Sequence, residues 1–436
     1  MQRIVSVCLV LFLCTAIVGC SGVPVLRTEA TATPQYTPIP SATLPPAVTP
    51  TTITVTPPAA VGSAQNPLRV RIIQSDLNSS LLLQIILENA ARQAGIALSV
   101  DIHSADGVYA LAQSAEDTTR VDAWIGTDYD VAQLQQITSI ATDVVTPKNQ
   151  DFPFIRESIA SHPQLAVIPF AAKNYLIGIA NADLLTELPL STLDLMTIDR
   201  RTLGRTRYDM AYAWAEGRWF DSFVSLLDPS ATVQKSSRPP TFEALQQALS
   251  SLKELRTLGP REATSYQESV TDFVNWRVQY TLDGDAAIRR YSLYSDTLTL
   301  KFAPPPVYSI PGALMNPSVD VVSIILAQST APATAPLLAK FTSALQSSEI
   351  QSELIQKLHW LPMRPEVYSQ IDISLNPDAT ILSSLAPSYH AQVYDAGTIC
   401  RWDAYESVLP FILLREKTVD AGVTAITAAI EACLRP

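Results

Sequence analysis

The chain has 436 residues, which is too many for one ordinary hydrophobic core, so its length favours two compact units. Only 16% of the residues are charged, and the net charge of −11 leaves no excess of basic residues to bind the phosphates of nucleic acid or anionic lipid. Length, composition and charge therefore argue against a nucleic-acid partner and against binding to a membrane through charge.

The first 20 residues are typical of an export signal. An arginine precedes an apolar run of about 15 residues, which is too short for a membrane span. The run ends in Ile17-Val18-Gly19-Cys20, which resembles the lipobox of bacterial lipoproteins, where the cysteine is acylated and becomes the new N-terminus. We therefore expect residues 1–20 to be a lipoprotein signal peptide and Cys20 to anchor an extracytoplasmic protein to the cell membrane. An ordinary cleaved signal with an incidental cysteine is the alternative.

Residues 21–66 are rich in Thr, Pro and Ala and offer almost nothing to bury. Such a composition favours an extended, disordered segment. We predict a tether between the lipid and the folded part of the chain.

The positions of the five cysteines are consistent with an exported protein. Cys8 and Cys14 belong to the predicted signal peptide and Cys20 to the predicted anchor, which leaves Cys400 and Cys433 in an oxidising compartment. We predict a disulfide between these two, with two separate buried thiols as the alternative.

The first folded elements are predicted to form a β-α-β unit. Residues 68–74 alternate as a strand does, residues 81–94 carry an apolar helical face, and residues 96–102 are predicted as the next strand. Such a unit favours a parallel sheet in an α/β fold. A further strand at 121–125 leads into the polar loop 126–129, and in open α/β sheets ligands lie against such loops.

The later part of the chain continues the same pattern. Residues 166–185 hold two short apolar runs around a polar loop, and residues 241–259 are predicted to form a helix capped by Thr241. Residues 300–316 contain three consecutive prolines, which exclude a central strand or a helix and indicate an interlobe crossing or a rigid loop.

Residues 341–368 contain an amphipathic helix that leads directly into a tryptophan and a proline. Ser348 is predicted to cap this helix, with Gln351 three residues later. Trp360 and Arg364 follow the helix, and we expect them to pack and pin the segment rather than to bind a ligand.

Taken in chain order, these predicted strands, helices and sequence segments resemble those of the extracellular solute-binding proteins of ATP-driven importers. The resemblance is to the sugar-binding family 1 in particular, which includes the maltose-binding protein. The most specific match is SSEIQSELIQKLHWLPMRPEVY at 347–368. Weaker matches follow the family's order, with VDAWIGTD at 121–128, LAVIPFAAKNYLIGIANADLL at 165–185 and DGDAAI at 283–288. The resemblance covers nearly all of residues 68–436.

The resemblance implies an α/β chain with the two-lobed periplasmic-binding-protein type II fold, an interlobe ligand cleft and hinge crossings. Residues 67–170 and 306–355 would form lobe 1, and residues 171–305 and 356–436 would form lobe 2. It implies a monomer that is not an enzyme and that uses no cofactor or metal. Such a protein captures a small ligand, expected to be a carbohydrate, and delivers it to the transmembrane subunits of an ABC import permease.

A sugar site needs aromatic side chains for the ring faces and polar side chains for the hydroxyl groups. Each aromatic candidate has core packing as its alternative, and Asp76 has helix capping as its alternative. The stacking candidates are Tyr175, Trp214, Trp219, Trp276 and Tyr294, and the polar candidates are Asp76, Asp128, Asn174 and Arg289, with Tyr129 in the loop of Asp128.

Two other functions stay open. A ligand-sensing lipoprotein that passes its closed form to a signalling receptor would use the same cleft. An exported glycosidase would need paired carboxylates or an activated nucleophile, and the sequence has no Gly-x-Ser-x-Gly, His-Glu-x-x-His or Cys-x-x-Cys motif. Asp283 and Asp285 are interpreted as members of a solvated turn rather than as a catalytic pair.

Overall fold

The computed structural model describes residues 61–435, all of which lie in one compact unit, Pro58–Pro436. The predicted signal peptide with Cys20, residues 21–60 of the predicted tether, and Trp214 lie outside the described residues. Within 61–435, the positions not described are 65, 75, 106–120, 143–145, 147, 186, 190–193, 195–207, 212–215, 229–238, 259–265, 295–296, 306–317, 329–333, 393 and 415–416.

Strands and helices alternate along the described chain. In chain order the strands are β1 (Leu68–Gln74), β2 (Leu98–Ser104), β3 (Ala123–Thr127), β4 (Val167–Lys173), β5 (Ile177–Asn181), β6 (Tyr208–Ala211), β7 (Val278–Asp283), β8 (Leu300–Ala303), β9 (Ser318–Leu326), β10 (Leu361–Pro362) and β11 (His390–Ala391). The helices are α1 (Leu77–Ala94), α2 (Asp128–Ile137), α3 (Pro153–Ser161), α4 (Gly217–Leu227), α5 (Phe242–Leu255), α6 (Tyr266–Val274), α7 (Asp285–Ser292), α8 (Ala335–Leu345), α9 (Ser348–Leu358), α10 (Asp378–Leu385), α11 (Ala396–Leu413) and α12 (Val419–Leu434).

The strands form two separate mixed sheets. The first has the order β10-β4-β9-β3-β1-β2, with β11 paired to β9, and the second has the order β6-β7-β5-β8. As predicted, β1 is parallel to β2 and also to β3, whereas β9 runs antiparallel to β3 and β4. The short edge strand β8 lies in a stretch that we had predicted as a crossing or loop, and its edge position is what its neighbouring prolines permit.

Each sheet packs helices against it and forms its own core. In the first lobe, side chains of β1, β3 and β9 pack against α1, α8 and α9. In the second lobe, β5, β6 and β7 pack against α4, α5, α11 and α12. A third cluster joins the two, because it contains side chains from both sheets, such as Val321 of β9 and Ile179 of β5.

The connection from β4 to β5 crosses between the two sheets at Asn174. This residue has a φ of 57°, in the left-handed region that asparagine tolerates better than most residues. Its backbone N–H donates to the Asp285 Oδ1 atom at 2.7 Å. The chain therefore changes lobes at a tight bend that a buried carboxylate holds in place.

The folded part begins before residue 67, the first residue predicted for lobe 1. Gly62 donates its N–H to the carbonyl of Asn66 at 2.6 Å, and its own carbonyl accepts from Ala97 at 2.8 Å. These backbone bonds attach residues at the end of the predicted tether to the start of β2. The other predicted lobe boundaries stay predictions.

Gln351 explains the polar residue inside helix α9. Its buried amide donates to the carbonyls of Phe170 at 2.8 Å and Leu345 at 2.9 Å, and accepts from the N–H of Met363 at 2.9 Å. The helix cap is Ser347 rather than the predicted Ser348, because the Ser347 hydroxyl accepts from the N–H of Ile350. Gln351 therefore fastens the helix to β4 and to the following segment instead of closing a capping box.

Trp360 and Arg364 pin that segment, as predicted. Trp360 is buried in the first-lobe core and donates its indole N–H to Asp285 at 3.1 Å, while the Arg364 Nε atom lies 3.1 Å from Asp151 Oδ1. The interpretation of Asp283 and Asp285 as a solvated turn is wrong, because both carboxylates are buried. Burial raises the pKa of Asp283 to about 7, and its oxygens accept from Gly284 N–H and Tyr291 OH.

Cys400 of α11 and Cys433 of α12 form a disulfide, which confirms the prediction. Their Cα atoms are 5.6 Å apart, within the usual range for a disulfide. Within the part of the chain that the structure describes, no helix combines the length and the apolar character needed to cross a bilayer.

Candidate ligand-binding site

A cavity of about 420 Å³ lies between the two lobes. Its first wall comes from the carboxyl ends of β1 and β3 and the start of α2, and its second wall comes from α4 and α11. The lining residues are Ile73, Ala105, Thr127, Tyr129, Asp130, Lys173, Asn174, Arg218, Asp320, Tyr394, Ile399, Trp402, Asp403 and Glu406.

Asp320 of β9 organises one side of this cavity. Its carboxylate accepts from Arg218 Nη1 at 2.6 Å, from Asn174 Nδ2 at 2.5 Å and from the Tyr394 hydroxyl. Burial pushes the pKa of Asp320 upward, but the Arg218 charge and these donors outweigh burial and hold the pKa below its usual value. Arg218 also donates to the Ser318 carbonyl at 3.0 Å. Asp320, in the first sheet, thus accepts hydrogen bonds from Asn174 in the β4–β5 connection, from Arg218 of α4 and from Tyr394 before α11.

Three aromatic rings form a corner of the cavity. Tyr394 makes edge contacts with Tyr129 and with Trp402, with ring centroids 5.3 Å and 5.6 Å apart. The indole N–H of Trp402 donates to Asp221 Oδ2 at 3.3 Å, and Arg401 binds the same carboxylate through two nitrogens at 3.0 Å and 3.2 Å. These bonds fix the orientation of the Trp402 ring, as a stacking surface requires.

The second wall needs a glycine where α4 begins. A β-carbon at Gly217 would lie 2.6 Å from the Trp402 carbonyl oxygen and 2.9 Å from the Trp402 Cα atom. Both neighbours are backbone atoms, so no side-chain rotation could relieve the contact. The close approach of α4 to α11 therefore depends on Gly217 and helps to set the position of Trp402.

No family model matches the sequence, and no curated protein matches it. Among solved structures, the chain is similar to the maltose/maltodextrin-binding domain MalE from Bdellovibrio bacteriovorus bound to maltotriose, with a TM-score of 0.64 and 17% sequence identity. The match covers 85% of this chain and 100% of that domain. The chain has the two-lobed periplasmic-binding-protein fold. The cavity described above therefore lies in the interlobe cleft of that fold.

Of the residues predicted for the site, Tyr129 and Asn174 line the cleft cavity. Asp76 and Arg289 form an ion pair instead, with 3.4 Å between Arg289 Nη2 and Asp76 Oδ2. Asp76 also caps α1, because it accepts from the Ser79 N–H at 2.9 Å. This pair joins the end of β1 to α7, which follows a strand of the second sheet, so it links the two lobes outside the cavity.

Asp128 lies beside the cleft cavity without lining it. The predicted loop 126–129 is divided between the end of β3 and the first turn of α2. In that turn Asp128 lies 2.9 Å from Ser158 and 3.4 Å from His162. Burial raises the pKa of Asp128, while His162 and Ser158 act in the opposite direction. Asp128 lines a second cavity of about 590 Å³, and Tyr394 is the one described residue that lines both cavities.

The remaining aromatic candidates that the structure describes do not line the cleft cavity. Tyr175 is fully buried, and its hydroxyl donates to the His359 carbonyl at 2.7 Å. Trp219 and Trp276 pack against the second-lobe and connecting cores, and Tyr294 is an exposed side chain.

The sequence reasoning missed Tyr394 and Trp402, although α11 carries a usable signal. Cys400, Ala404 and Tyr405 are buried and Asp403 is exposed, whereas Trp402 is partly buried and packs against the second-lobe core. A large aromatic residue at the border between the buried and the polar face of a helix presents part of its ring outside the core, where a ligand can contact it. Among the described residues, no group of three His, Cys, Asp or Glu side chains could hold a metal ion.

Proposed function

We propose that this chain is an extracytoplasmic solute-binding lipoprotein of the sugar-binding family 1, which captures a carbohydrate between its lobes and delivers it to an ABC import permease. The interlobe cavity with its Tyr129, Tyr394 and Trp402 corner carries the proposal. The fold and the resemblance of the sequence support solute binding and delivery to a permease. The lipobox at Cys20 supports the lipid anchor.

A sugar ring has apolar faces and a hydroxyl edge, so it suits a cavity with this lining. The Trp402 indole and the tyrosine rings offer apolar surfaces for the faces. Asn174, Lys173 and Asp130 line the same cavity and offer donors and acceptors for the hydroxyl groups. A ligand that touches both walls would favour the closed arrangement of the lobes, because it gains contacts there that the open arrangement lacks.

A thermal-shift screen of the full chain in detergent tests the carbohydrate part of this proposal. A ligand that binds only the native state stabilises it by about 2.7 kcal/mol at a hundredfold excess over Kd, so a matching sugar should raise the unfolding temperature clearly. The panel contains neutral and charged mono- and oligosaccharides, with amino acids and short peptides as controls. If only an amino acid or a peptide raises the midpoint, the carbohydrate assignment is wrong and the cleft still binds a ligand.

The anchor is tested separately by Cys20→Ser. Without Cys20 the protein should no longer incorporate a labelled fatty acid, because the acyl acceptor is lost. The label is measured rather than the cell fraction, because an uncleaved apolar signal would also hold the protein at the membrane. Cys8→Ser, within the predicted signal peptide, is the matched control and should keep the label. If Cys20→Ser still carries the label, Cys20 is not the anchor.

A third test concerns Gly217, which allows α4 to approach α11 closely in the second wall of the cavity. Gly217→Ala should push α4 away from α11, lower the free energy of unfolding by about 1–3 kcal/mol and weaken carbohydrate binding. Gly422→Ala is the control: a β-carbon there would meet Ile412 Cδ1 at 2.2 Å in the second-lobe core, away from the cavity. We expect it to destabilise the fold and keep the affinity. If Gly217→Ala keeps both its stability and its affinity, the close approach is not needed.

A further inference from the structure

Two carboxylates on the second wall are separate from the network around Asp320. Asp403 and Glu406 are three residues apart on α11 and line the cavity. Residues at this spacing lie on one face of a helix, so both carboxylates face the same region. Glu406 accepts a hydrogen bond from the Gly217 N–H at 3.3 Å, and among the described residues neither carboxylate has an ion pair.

The cationic side chains of the cavity have partners elsewhere. Arg218 binds Asp320 at 2.6 Å, and the Lys173 ammonium lies 5.7 Å from the centre of the Trp360 ring. The fourth acidic residue of the lining, Asp130, uses one oxygen to accept from both the N–H and the hydroxyl of Thr127, at 2.6 Å and 2.8 Å. Among the described residues, Asp403 and Glu406 therefore line the cavity without an ion pair to either of its two cationic side chains.

Glu216 strengthens this negative region. It precedes α4 at the point where Gly217 meets Glu406. Burial, followed by the negative charge of Glu406, raises the pKa of Glu216, while the charge of Arg218 acts in the opposite direction. A ligand cation placed here would relieve that repulsion.

Aromatic rings line the same cavity as these carboxylates. Trp402 precedes Asp403 in α11, and the Tyr394 ring meets the Trp402 ring edge to face, at an interplanar angle of 83°. An aromatic face next to carboxylates is the arrangement that recognises ammonium groups, because the ring and the negative charges both attract a cation. A carboxylate offers a hydroxyl group only a hydrogen bond, whereas it offers an ammonium group a hydrogen bond and the attraction of opposite charges.

We infer that the ligand is a carbohydrate with a protonated amino group, which lies between the carboxylates of Asp403 and Glu406 and the ring of Trp402. The carbohydrate part of this inference rests on the proposed function, whereas the cationic part rests on the charges of the cavity. Asp403 and Glu406 are then the residues that set specificity for amino sugars over neutral sugars.

Titration calorimetry of the full chain with matched sugars tests the inference. Glucosamine and its β-1,4-linked dimer are compared with glucose and cellobiose, which differ at the 2-position, and with the N-acetylated forms, which lack the charge. The same set is run for the galactose series. At about pH 6 the amino groups are protonated, and we expect an amino sugar to bind at least about tenfold more tightly than its neutral partner. This preference should shrink in about 1 M salt, because exposed charges are screened there.

The variant Asp403→Asn/Glu406→Gln keeps the size of both side chains and one acceptor oxygen on each, and it removes their charge. It should lose the preference for the amino sugar, so the ratio of the dissociation constants of the neutral sugar and the amino sugar should fall to about one. Glu254→Gln, at an exposed position of α5 outside the cavity, is the matched control and should keep the preference.

The outcomes separate the two proposals. If neutral sugars bind and amino sugars bind no better, the inference is overturned and the proposed function stands. If spermidine binds through Asp403 and Glu406 and no sugar binds, the carbohydrate assignment is wrong and the cation site stands. If no amino sugar and no polyamine binds, the inference is overturned. If the double variant keeps the full preference for the amino sugar, Asp403 and Glu406 do not cause it.

Discussion

Removal of the disulfide by Cys400→Ala/Cys433→Ala is expected to lower the free energy of unfolding by about 4 kcal/mol. The two cysteines are separated by 33 residues, and a loop of that length restricts the unfolded chain by roughly this amount in the chain-entropy account. The bond also ties α12 to α11, the helix that carries Trp402. Urea unfolding followed by circular dichroism measures the effect.

Reduction of the native protein should reproduce the effect of the double alanine variant. The same reductant should leave the variant unchanged, which separates loss of this bond from other effects of the reagent. If reduction shifts the variant as much as the native protein, or if neither change moves the urea midpoint, the bond does not contribute as described.

Arg218→Met should lower the free energy of unfolding by about 3–5 kcal/mol, because it leaves the buried Asp320 carboxylate without its cation. The double variant Arg218→Met/Asp320→Asn removes both charges and should recover much of this loss. A double variant that is as unstable as Arg218→Met would show that packing, rather than the unpaired charge, causes the effect.

The same pair predicts how stability depends on pH. The pKa of Asp320 in the folded protein lies below its usual value of about 4, so Asp320 stabilises the fold fully above that pH. This contribution is lost as the pH falls below about 4, through the folded pKa. In Asp320→Asn it should be absent, so unfolding free energies of the two proteins should converge in acid. Denaturation curves at several pH values measure the convergence.

Much of the fold was predictable because its local signals are strong. The strand β1 and the Thr241 cap of α5 appear in the structure as expected, although Arg71 of β1 is buried rather than alternating to the solvent side. Strand β8 and the buried state of Asp283 and Asp285 were not predictable. Whether a polar turn is solvated depends on which elements pack over it, and the covering Trp360 lies far along the chain.

The site was predictable only in part, for a geometric reason. Asp128 and Tyr129 are neighbours in the first turn of α2, and successive helical residues point about 100° apart, so only Tyr129 faces the cavity. Asn174 and Tyr175 also diverge, because the left-handed bend at Asn174 sends the next side chain into the core. Trp402 joins the site through a late crossing of the chain, which local sequence patterns do not reveal.

Calorimetric titration of Trp402→Ala with the carbohydrate that stabilises the native protein most tests the central claim, that the ligand lies in the interlobe cavity against the aromatic corner. We expect at least a tenfold rise in Kd, about 1.4 kcal/mol or more, because a buried aromatic contact is lost. Tyr294→Ala, which removes an exposed ring outside the cavity, should leave Kd unchanged. An unchanged Kd in Trp402→Ala would contradict the claim.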